Sequence, residues 1–449
     1  MSELNINAAE QFFSEKKTQS WIVYLLIFIA IILSFIFYFF PFKNIYENNN
    51  TVKKIYFADV ITQSHLEIIK RFNNKYKGKI EVIPIDFGYE KFTTNKRKEL
   101  ITRAMRSQSS RIDVYSIDQI WIPRFVKWAE PLGNYFSSDE LSQIIKPVLK
   151  TCEYNDTLFA VPLFMDLGIL YYRKDIINKL PNGEKIEQTI NNGGSWEELL
   201  SIHKQLNSKY LYVFQGKPYE GLICNFLELT KGNNVNVEMG DFSNLINPRT
   251  EKCLQFFVDL INKYHIVPKE VVNFEEAESF KYAVKNDVPF FRGWQNMYRI
   301  VNLTKEESEK LRFLRKAPPL HFDGNESYST IGGWNLMLSK YSQEKEAAIT
   351  FIKYATSKEA QEILFSFGEY LPINKNFYED DSLLAKYPTL RFYKALLKKI
   401  IQRPSLEDYT KISDIIAGNV NAALKKELSA AEALSKSKRE IDAMLQLEK

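Results

Sequence analysis

IGGWNLMLSKYSQEKEAAITFIKYATSKEAQEILFSFGEYLPINKNFY, residues 331–378, predicts a short apolar strand, two amphipathic helices and a stop containing proline. Ser342 is the predicted cap of the first helix, which places Glu344 in the first turn. The apolar side chains of that helix recur at helical spacing, so they should form one buried face. They are Ala348, Ile349, Phe351, Ile352 and Ala355.

The second helix of the segment has its own start and stop. Ser357 is the predicted cap, and Ile363, Leu364 and Phe367 are predicted to continue the buried face. Gly368 is expected to end the helix. The segment should therefore fold as strand, helix, helix and turn.

Four short motifs in this segment resemble the C-terminal half of the extracellular solute-binding proteins of ABC importers. The motifs are Gly332-Gly333-Trp334, Phe351-Ile352-Lys353-Tyr354, Ser357-Lys358-Glu359-Ala360-Gln361 and Leu371-Pro372. The resemblance is to the large sugar-binding group, which includes maltose-binding proteins. It implies an α/β, two-lobed periplasmic-binding-protein-like fold with a hinge and a ligand cleft between the lobes, and it extends from about residue 52 to the C-terminus.

Composition excludes several other classes of protein. The chain has 449 residues, of which 45% are hydrophobic and 26% charged, and a net charge of only +5 spread along its length, so no nucleic-acid partner is expected. Three cysteines without a CxxC motif and four histidines outside HxH or HExxH predict neither a metal site nor a cofactor. Buried free thiols are favoured over a single disulfide bridge.

The N-terminal region predicts a membrane anchor. Residues 21–40 are apolar except for Ser34, and twenty helical residues span about 30 Å, the thickness of a bilayer core. The run ends in Phe-Tyr-Phe-Phe-Pro, which is poor for signal cleavage. We therefore expect a cytoplasmic tail over 1–20, a single-pass helix over 21–40 and a linker over 41–51. The alternative is a buried core helix.

The start of the folded region predicts alternating strands and helices. The strands are expected at Ile55–Ala58, Ile80–Ile85 and Ile112–Ile117, with helices after the first two, the second of them from Arg97 to Ser107. The first helix should bury Leu66, Ile69, Phe72 and Tyr76. This alternation is typical of a parallel, doubly wound sheet, in which ligands lie beyond the carboxyl ends of the strands. Asp59 with Val60 and Asp118 with Gln119 would lie there.

The resemblance implies roles for further residues. Asp118 fits the position of a sugar-hydroxyl acceptor, although it could equally cap a helix. Asp166 would lie between the lobes, with an exposed loop acid as the alternative. Trp294 would stack on a sugar ring, and Trp334 would join it; both could instead be core, as expected for Trp121. Lobe 1 is expected at about 52–165 and 334–379, and lobe 2 at about 166–333 and 380–449, with helices over Asp380–Gln402 and Lys411–Lys449.

The expected function is that of a membrane-anchored, extracytoplasmic receptor. It would bind a small polar solute, a mono- or oligosaccharide, as a monomer and deliver it to the transmembrane subunits of an ABC permease without acting as an enzyme. Two alternatives stay open from the residues. One is a ligand-binding sensor or adaptor for a membrane signalling partner. The other is an anchored glycoside hydrolase using two carboxylates such as Asp118 and Asp166.

Overall fold

The structure is a computed structural model that describes residues 24–32, 52–89, 91–206, 208–237 and 242–447. The chain divides into two units, 1–51 and 52–449. In the first, residues 24–32 form helix α1 with exposed side chains. Within the described ranges, no helix is long and apolar enough to cross a bilayer. The predicted span over 21–40 lies, apart from α1, outside the described residues.

The second unit contains every strand that the structure describes. They are β1 Lys53–Asp59, β2 Ile80–Asp86, β3 Val114–Asp118, β4 Glu153–Tyr154, β5 Thr157–Leu158, β6 Val161–Arg173, β7 Tyr212–Val213, β8 Phe290–Trp294, β9 Leu314–Ala317, β10 Ser329–Leu338 and β11 Ile400–Ile401.

Helices fill most of the intervening chain. They are α2 Gln63–Lys75, α3 Thr94–Arg106, α4 Ile122–Phe125, α5 Ser138–Ser142, α6 Lys146–Lys150, α7 Lys174–Ile177, α8 Gly183–Asn191, α9 Trp196–His203, α10 Glu220–Lys231, α11 Pro248–Asn262, α12 Glu276–Lys285, α13 Met297–Ile300, α14 Lys305–Lys310, α15 Lys345–Ala355, α16 Lys358–Gly368, α17 Asn376–Glu379, α18 Asp381–Lys386, α19 Leu390–Leu396, α20 Tyr409–Leu424 and α21 Ala430–Leu447. Short 3-10 turns occur at Gln119–Trp121, Val126–Trp128, Phe242–Ile246, Lys269–Asn273 and Leu311–Phe313.

The main sheet is mixed, with strand order β2-β1-β3-β10-β6-β8-β7. The predicted parallel arrangement is confirmed for β1, which pairs in parallel with both β2 and β3. Beyond β3, however, β10 pairs antiparallel with β3 and with β6. Between β6 and β10 the chain forms β7, β8 and β9. It then runs along β10 in the direction opposite to β3 and β6.

Strand β6 connects the two halves of the sheet. Its residues Val161–Leu167 pair with β10, whereas Gly168–Tyr172 pair with β8 and the end of the strand also pairs with β9. All but one of its thirteen residues are buried, and Asp166 is the exception, half-buried in the middle. A continuous strand buried on both faces is thus interrupted by one acid, at the point where its pairing partners change.

The two helices of the opening segment follow the prediction with two corrections, and helix α2 needs a third. Ser357 caps α16 by accepting a hydrogen bond from the Ala360 N–H, and α16 ends at Gly368. Ser342 does not cap α15: it lies three residues before the helix, and its hydroxyl bonds the buried carboxylate of Asp113. Phe367 is 46% exposed and Leu66 on α2 is 45% exposed, so neither lies on the predicted buried face.

The predicted buried face of α2 is confirmed at Ile69 and Phe72, but in the first turn His65 is buried in place of Leu66. The buried residues of the helix are Ser64, His65, Ile68, Ile69 and Phe72. A buried histidine replaces the expected leucine because His65 lies beside Asp59 and packs its ring edge-on against Tyr370.

At the C-terminus the predicted helix over Asp380–Gln402 is divided into α18, α19 and the short strand β11, which pairs in parallel with β10. Helices α20 and α21 lie within the predicted span Lys411–Lys449, except that α20 begins two residues earlier. Leu434 and Ile441 of α21 are buried, as their spacing predicts. The three cysteines are buried free thiols.

Candidate ligand-binding cavity

Strand register brings distant polar and aromatic residues together at one place in the sheet. Trp334 of β10 lies opposite Asp118, the last residue of β3. Two residues earlier on β10, Gly332 lies opposite Asp166 of β6. Across β6, Gly168 lies opposite Trp294, the last residue of β8. Adjacent strands are about 5 Å apart, so the side chains of Asp118, Asp166, Trp294 and Trp334 are near neighbours although they are far apart in sequence.

The glycine pair of β10 leaves room for these side chains. A Cβ atom at Gly332 would lie 3.4 Å from the Trp294 ring and 3.5 Å from Asp166 Cβ. At Gly333, where φ is +155°, a Cβ atom would lie 2.7 Å from the Phe164 carbonyl oxygen. The Gly332-Gly333-Trp334 motif thus has a steric role, since the backbone passes directly under an indole ring.

A cavity of about 830 Å³, measured out to its mouth, opens above this part of the sheet. Five of the six predicted site residues line it: Asp59, Asp118, Asp166, Trp294 and Trp334. The side chains that line the cavity include five carboxyl groups and two guanidinium groups. The members that sequence reasoning did not identify include Tyr89, Arg97, Glu220, Glu276, Tyr370 and Arg403.

Arg403 joins the two acids at one end of the cavity. Its Nη2 lies 3.3 Å from Asp118 Oδ1 and its Nη1 lies 3.1 Å from Glu220 Oε1. Glu220 also accepts hydrogen bonds from Tyr409, at 2.7 Å, and from the Ser413 hydroxyl. Burial raises the pKa of Glu220, and the Arg403 charge opposes that rise. Asp118 also accepts a hydrogen bond from the Ile120 N–H, so it caps the 3-10 turn and faces the cavity at once.

Asp59, the last residue of β1, lines the cavity with one oxygen unsatisfied. Its Oδ1 accepts a 2.6 Å hydrogen bond from the Val60 N–H, whereas its buried Oδ2 has no hydrogen-bond partner and lies 3.5 Å from His65 Nε2. Burial raises the pKa of Asp59 to about 7 and lowers that of His65 to about 4. His65 is therefore neutral at physiological pH, whereas the carboxyl group of Asp59 changes charge at a pH close to the physiological value.

Asp166 is held in place by a polar connection behind the cavity. Its Oδ1 accepts a 2.7 Å hydrogen bond from Gln295 Nε2, and Gln295 Oε1 accepts one from the Leu167 N–H. Gln295 also reaches the Glu369 carbonyl, and the Glu369 carboxylate accepts hydrogen bonds from Lys316, Tyr298 and Tyr393. Burial raises the pKa of Asp166 to about 6.

Both tryptophans are partly exposed and are each oriented by a cation. The Arg292 guanidinium lies 4.1 Å from the Trp294 ring centroid, and Trp294 Nε1 donates to Glu276 Oε1 at 3.3 Å. The Arg97 guanidinium lies 4.8 Å from the Trp334 ring centroid. Because a cation occupies one side of each indole, the remaining surface of each ring is what a ligand could contact.

Gln119 and Trp121, which follow Asp118 in the sequence, do not line the cavity. Gln119 is buried away from it, and its Nε2 donates a 2.7 Å hydrogen bond to the Ile331 carbonyl, so its position is structural. Trp121 is core, as expected, and packs edge-on against Trp334 at 5.5 Å.

The residues that sequence reasoning missed carry weak local patterns. Arg403 precedes a proline in a segment predicted to follow a helix, and Glu220 is a first-turn acid of α10, a position that acids commonly occupy for helix stability alone. Tyr89 lies in the loop before α3, and Arg97 lies in the first turns of that helix. The rule that ligands lie beyond the carboxyl ends of the strands therefore identifies the acids of β1 and β3. It does not identify the side chains that helices and loops contribute to the cavity.

Comparison with known proteins agrees with this geometry. A family model described as "Bacterial extracellular solute-binding protein" matches residues 67–391. A "Probable ABC transporter-binding protein" of Deinococcus radiodurans is 25% identical over 354 residues, covering 76% of this chain and 82% of the relative.

Solved structures share the fold over 88% of this chain. The maltose-bound MalE3 of T. maritima is 26% identical with a TM-score of 0.76, and all of that chain is covered. An ABC transporter solute-binding protein of Thermotoga lettingae, bound with alpha-D-tagatose, is 21% identical with a TM-score of 0.75, again with its whole chain covered. The predicted α/β, two-lobed architecture is confirmed.

Proposed function

Since the chain belongs to the bacterial extracellular solute-binding proteins, we propose that it binds a mono- or oligosaccharide in this cavity and delivers it to an ABC permease. The extracytoplasmic location follows from the family. Two similar structures support a sugar ligand, because one holds maltose and the other alpha-D-tagatose. The curated relative supports the link to a transporter.

The observation that carries the proposal is the combination of Trp294 and Trp334 with buried carboxyl groups in one cavity. Sugar rings present apolar C–H faces, which indole planes cover, and hydroxyl groups, which carboxylates orient by accepting hydrogen bonds. Asp59, Asp118 and Asp166 approach from three different strands. Such an arrangement suits a ligand with hydroxyl groups in several directions, as a pyranose has.

The proposal includes closure of the two lobes around the ligand. The hinge would lie where β6 changes partners from β10 to β8, at Leu167 and Gly168. Hinge closure around a ligand is the motion known for periplasmic binding proteins. A ligand stabilises the closed state only if it binds that state more tightly, which contacts from both walls of the cavity would provide.

We further propose that residues 21–40 anchor the receptor as a single-pass helix, with 52–449 on the extracytoplasmic side and the protein acting as a monomer. The support is the apolar composition of that run and the family's location.

A thermal-shift screen of mono- and oligosaccharides on the purified full-length protein tests the proposed function. A true ligand should raise the melting temperature in proportion to the logarithm of its concentration above Kd. The same sugar should be recovered chemically unchanged, because a receptor binds without turnover. Cleaved or modified sugar in stoichiometric excess would instead favour a hydrolase, and the absence of any saccharide effect would contradict the proposal.

A further inference from the structure

A second chamber lies beside the cavity and measures about 650 Å³ when the solvent at its mouth is included. Its walls come from the loop before α3 and from the start of α12. They are Tyr89, Phe92, Thr93, Thr94, Arg97, Glu275, Glu276, Ala277, Glu278 and Lys281. We call it the outer chamber, and the cavity described above the inner cavity. Since Thr93 and Glu278 are exposed, the outer chamber adjoins solvent.

The two spaces adjoin each other, because they share four wall residues. Tyr89, Thr94 and Arg97 line both from one side, and Glu276 lines both from the other. A molecule that extends out of the inner cavity past Trp294 would therefore pass between Arg97 and Glu276. Arg97 is 6% exposed and its Nε has no hydrogen-bond partner, so a donor is available at this junction.

The outer chamber repeats the chemistry of the inner cavity. Tyr89 and Phe92 supply aromatic surface, and both are half-buried. The ammonium groups of Lys91 and Lys96 lie 5.5 and 5.7 Å from the Phe92 ring centroid and help to fix its orientation. Opposite them, Glu276 accepts a hydrogen bond from Trp294, and its other carboxylate oxygen can accept from a ligand hydroxyl.

From this adjacency and the matching chemistry of the two spaces we propose that the site takes a linear saccharide of at least two sugar units, bound end-on. The terminal ring lies in the inner cavity, and the next ring lies in the outer chamber between Phe92 and α12. The inference rests on the proposed function, and it adds that a monosaccharide leaves half of the site unfilled. Units beyond the second extend toward solvent and make few contacts.

Chain-length series test the inference with the full-length protein. Isothermal titration is performed with α-1,4- and β-1,4-linked gluco-oligosaccharides of one to four units. For the series that binds, the disaccharide should bind at least about tenfold more tightly than the monosaccharide, and the third and fourth units should change Kd by less than about threefold. A monosaccharide that binds as tightly as the longer chains would overturn the inference while the proposed function stands. Failure of every saccharide, including other hexoses, would overturn both.

A variant and its matched control test whether the second sugar ring lies in the outer chamber. Ala277→Trp fills the outer chamber from α12 and should weaken binding of di- and trisaccharides at least about tenfold, with monosaccharide affinity unchanged. Lys285→Trp is the matched control, because it adds the same side chain at an exposed position of the same helix, outside both spaces. It should change neither affinity.

Phe92→Ala provides a second test that does not depend on accommodating a larger side chain. Loss of the ring should weaken disaccharide binding roughly 2- to 10-fold, as expected for one aromatic contact, and should leave monosaccharide binding as it was. Equal losses for mono- and disaccharide, in Phe92→Ala and Ala277→Trp alike, would show that the outer chamber supports the inner cavity instead of holding a second ring.

Discussion

Replacing Arg403 by methionine tests whether one buried guanidinium balances the acids at the end of the cavity. The side chain is 3% exposed and pairs with Asp118 at 3.3 Å and with Glu220 at 3.1 Å. Removing one partner of a buried ion pair costs about 3–5 kcal/mol, because the remaining charge is left uncompensated. Glu220 keeps the Tyr409 and Ser413 hydroxyls and Asp118 keeps the Ile120 N–H, so we expect about 3 kcal/mol.

The loss should depend on pH in a defined direction. Burial already raises the pKa of Glu220 from its ordinary 4.5 despite the Arg403 charge, and without that charge it should rise further. An acid whose folded-state pKa is raised disfavours folding once the pH passes its ordinary value, and the penalty is complete above the raised pKa. The deficit of Arg403→Met relative to wild type should therefore be small near pH 4.5 and largest at pH 8.

Urea denaturation at pH 5 and pH 8 measures both effects. Arg71→Met is the matched control, because Arg71 is 46% exposed and pairs with Glu67 at 2.8 Å on the surface of α2. Its loss should stay below about 1 kcal/mol at either pH. Adding Glu220→Gln to Arg403→Met should recover about 1–2 kcal/mol at pH 8, since the amide removes one uncompensated charge. A loss below about 1 kcal/mol for Arg403→Met, or one of equal size at both pH values, would refute the reasoning.

Three further predictions concern the ligand, a buried acid and the membrane. Trp294→Ala should weaken saccharide binding by about 1.5–3 kcal/mol by calorimetry while the melting temperature of the free protein changes little; a variant that melts much lower yet binds normally would mean that the indole is core. Asp59→Asn should gain stability relative to wild type as the pH rises from about 4 to about 7, because the pKa of this acid is raised to about 7 and its ionisation disfavours folding; parallel urea midpoints for both proteins at pH 5 and pH 8 would contradict this. The native protein should keep Met1 and stay with membranes in carbonate, and an N-terminus found after residue 40 would contradict the proposed anchor.

Local patterns predicted the elements well where neighbouring residues determine the structure. The strands at β1, β2 and β3 and the Ser357 cap depend on short-range alternation and hydrogen bonding, and they appear where expected. Periodicity failed at Leu66 and Phe367 because it assumes that the most apolar residue of a turn is the buried one. At α2 the buried position went to His65, beside a buried acid that sequence reasoning had assigned only to a ligand.

The candidate site was predictable only in part for a similar reason. Asp118 and Trp334 follow from a strand end and a motif, and the sheet register makes them neighbours. Arg403 is 285 residues away from Asp118 along the chain, and no local pattern indicates that the two side chains meet. Such a contact is set by how the C-terminal segment packs across the sheet.

The buried cysteines give the protein a native reporter of occupancy. Thiolates are the reactive form, and burial raises the pKa of Cys224 to about 12 and that of Cys253 to about 11, so native thiols should be alkylated slowly. Of the three, Cys224 lines the inner cavity, where a bound sugar would shield it. A cysteine engineered on the exposed surface would react far sooner than these three, so a single fluorophore could be attached without first removing the native thiols. Slow alkylation of Cys224, followed by mass spectrometry, would then count filled and empty receptors in the same sample.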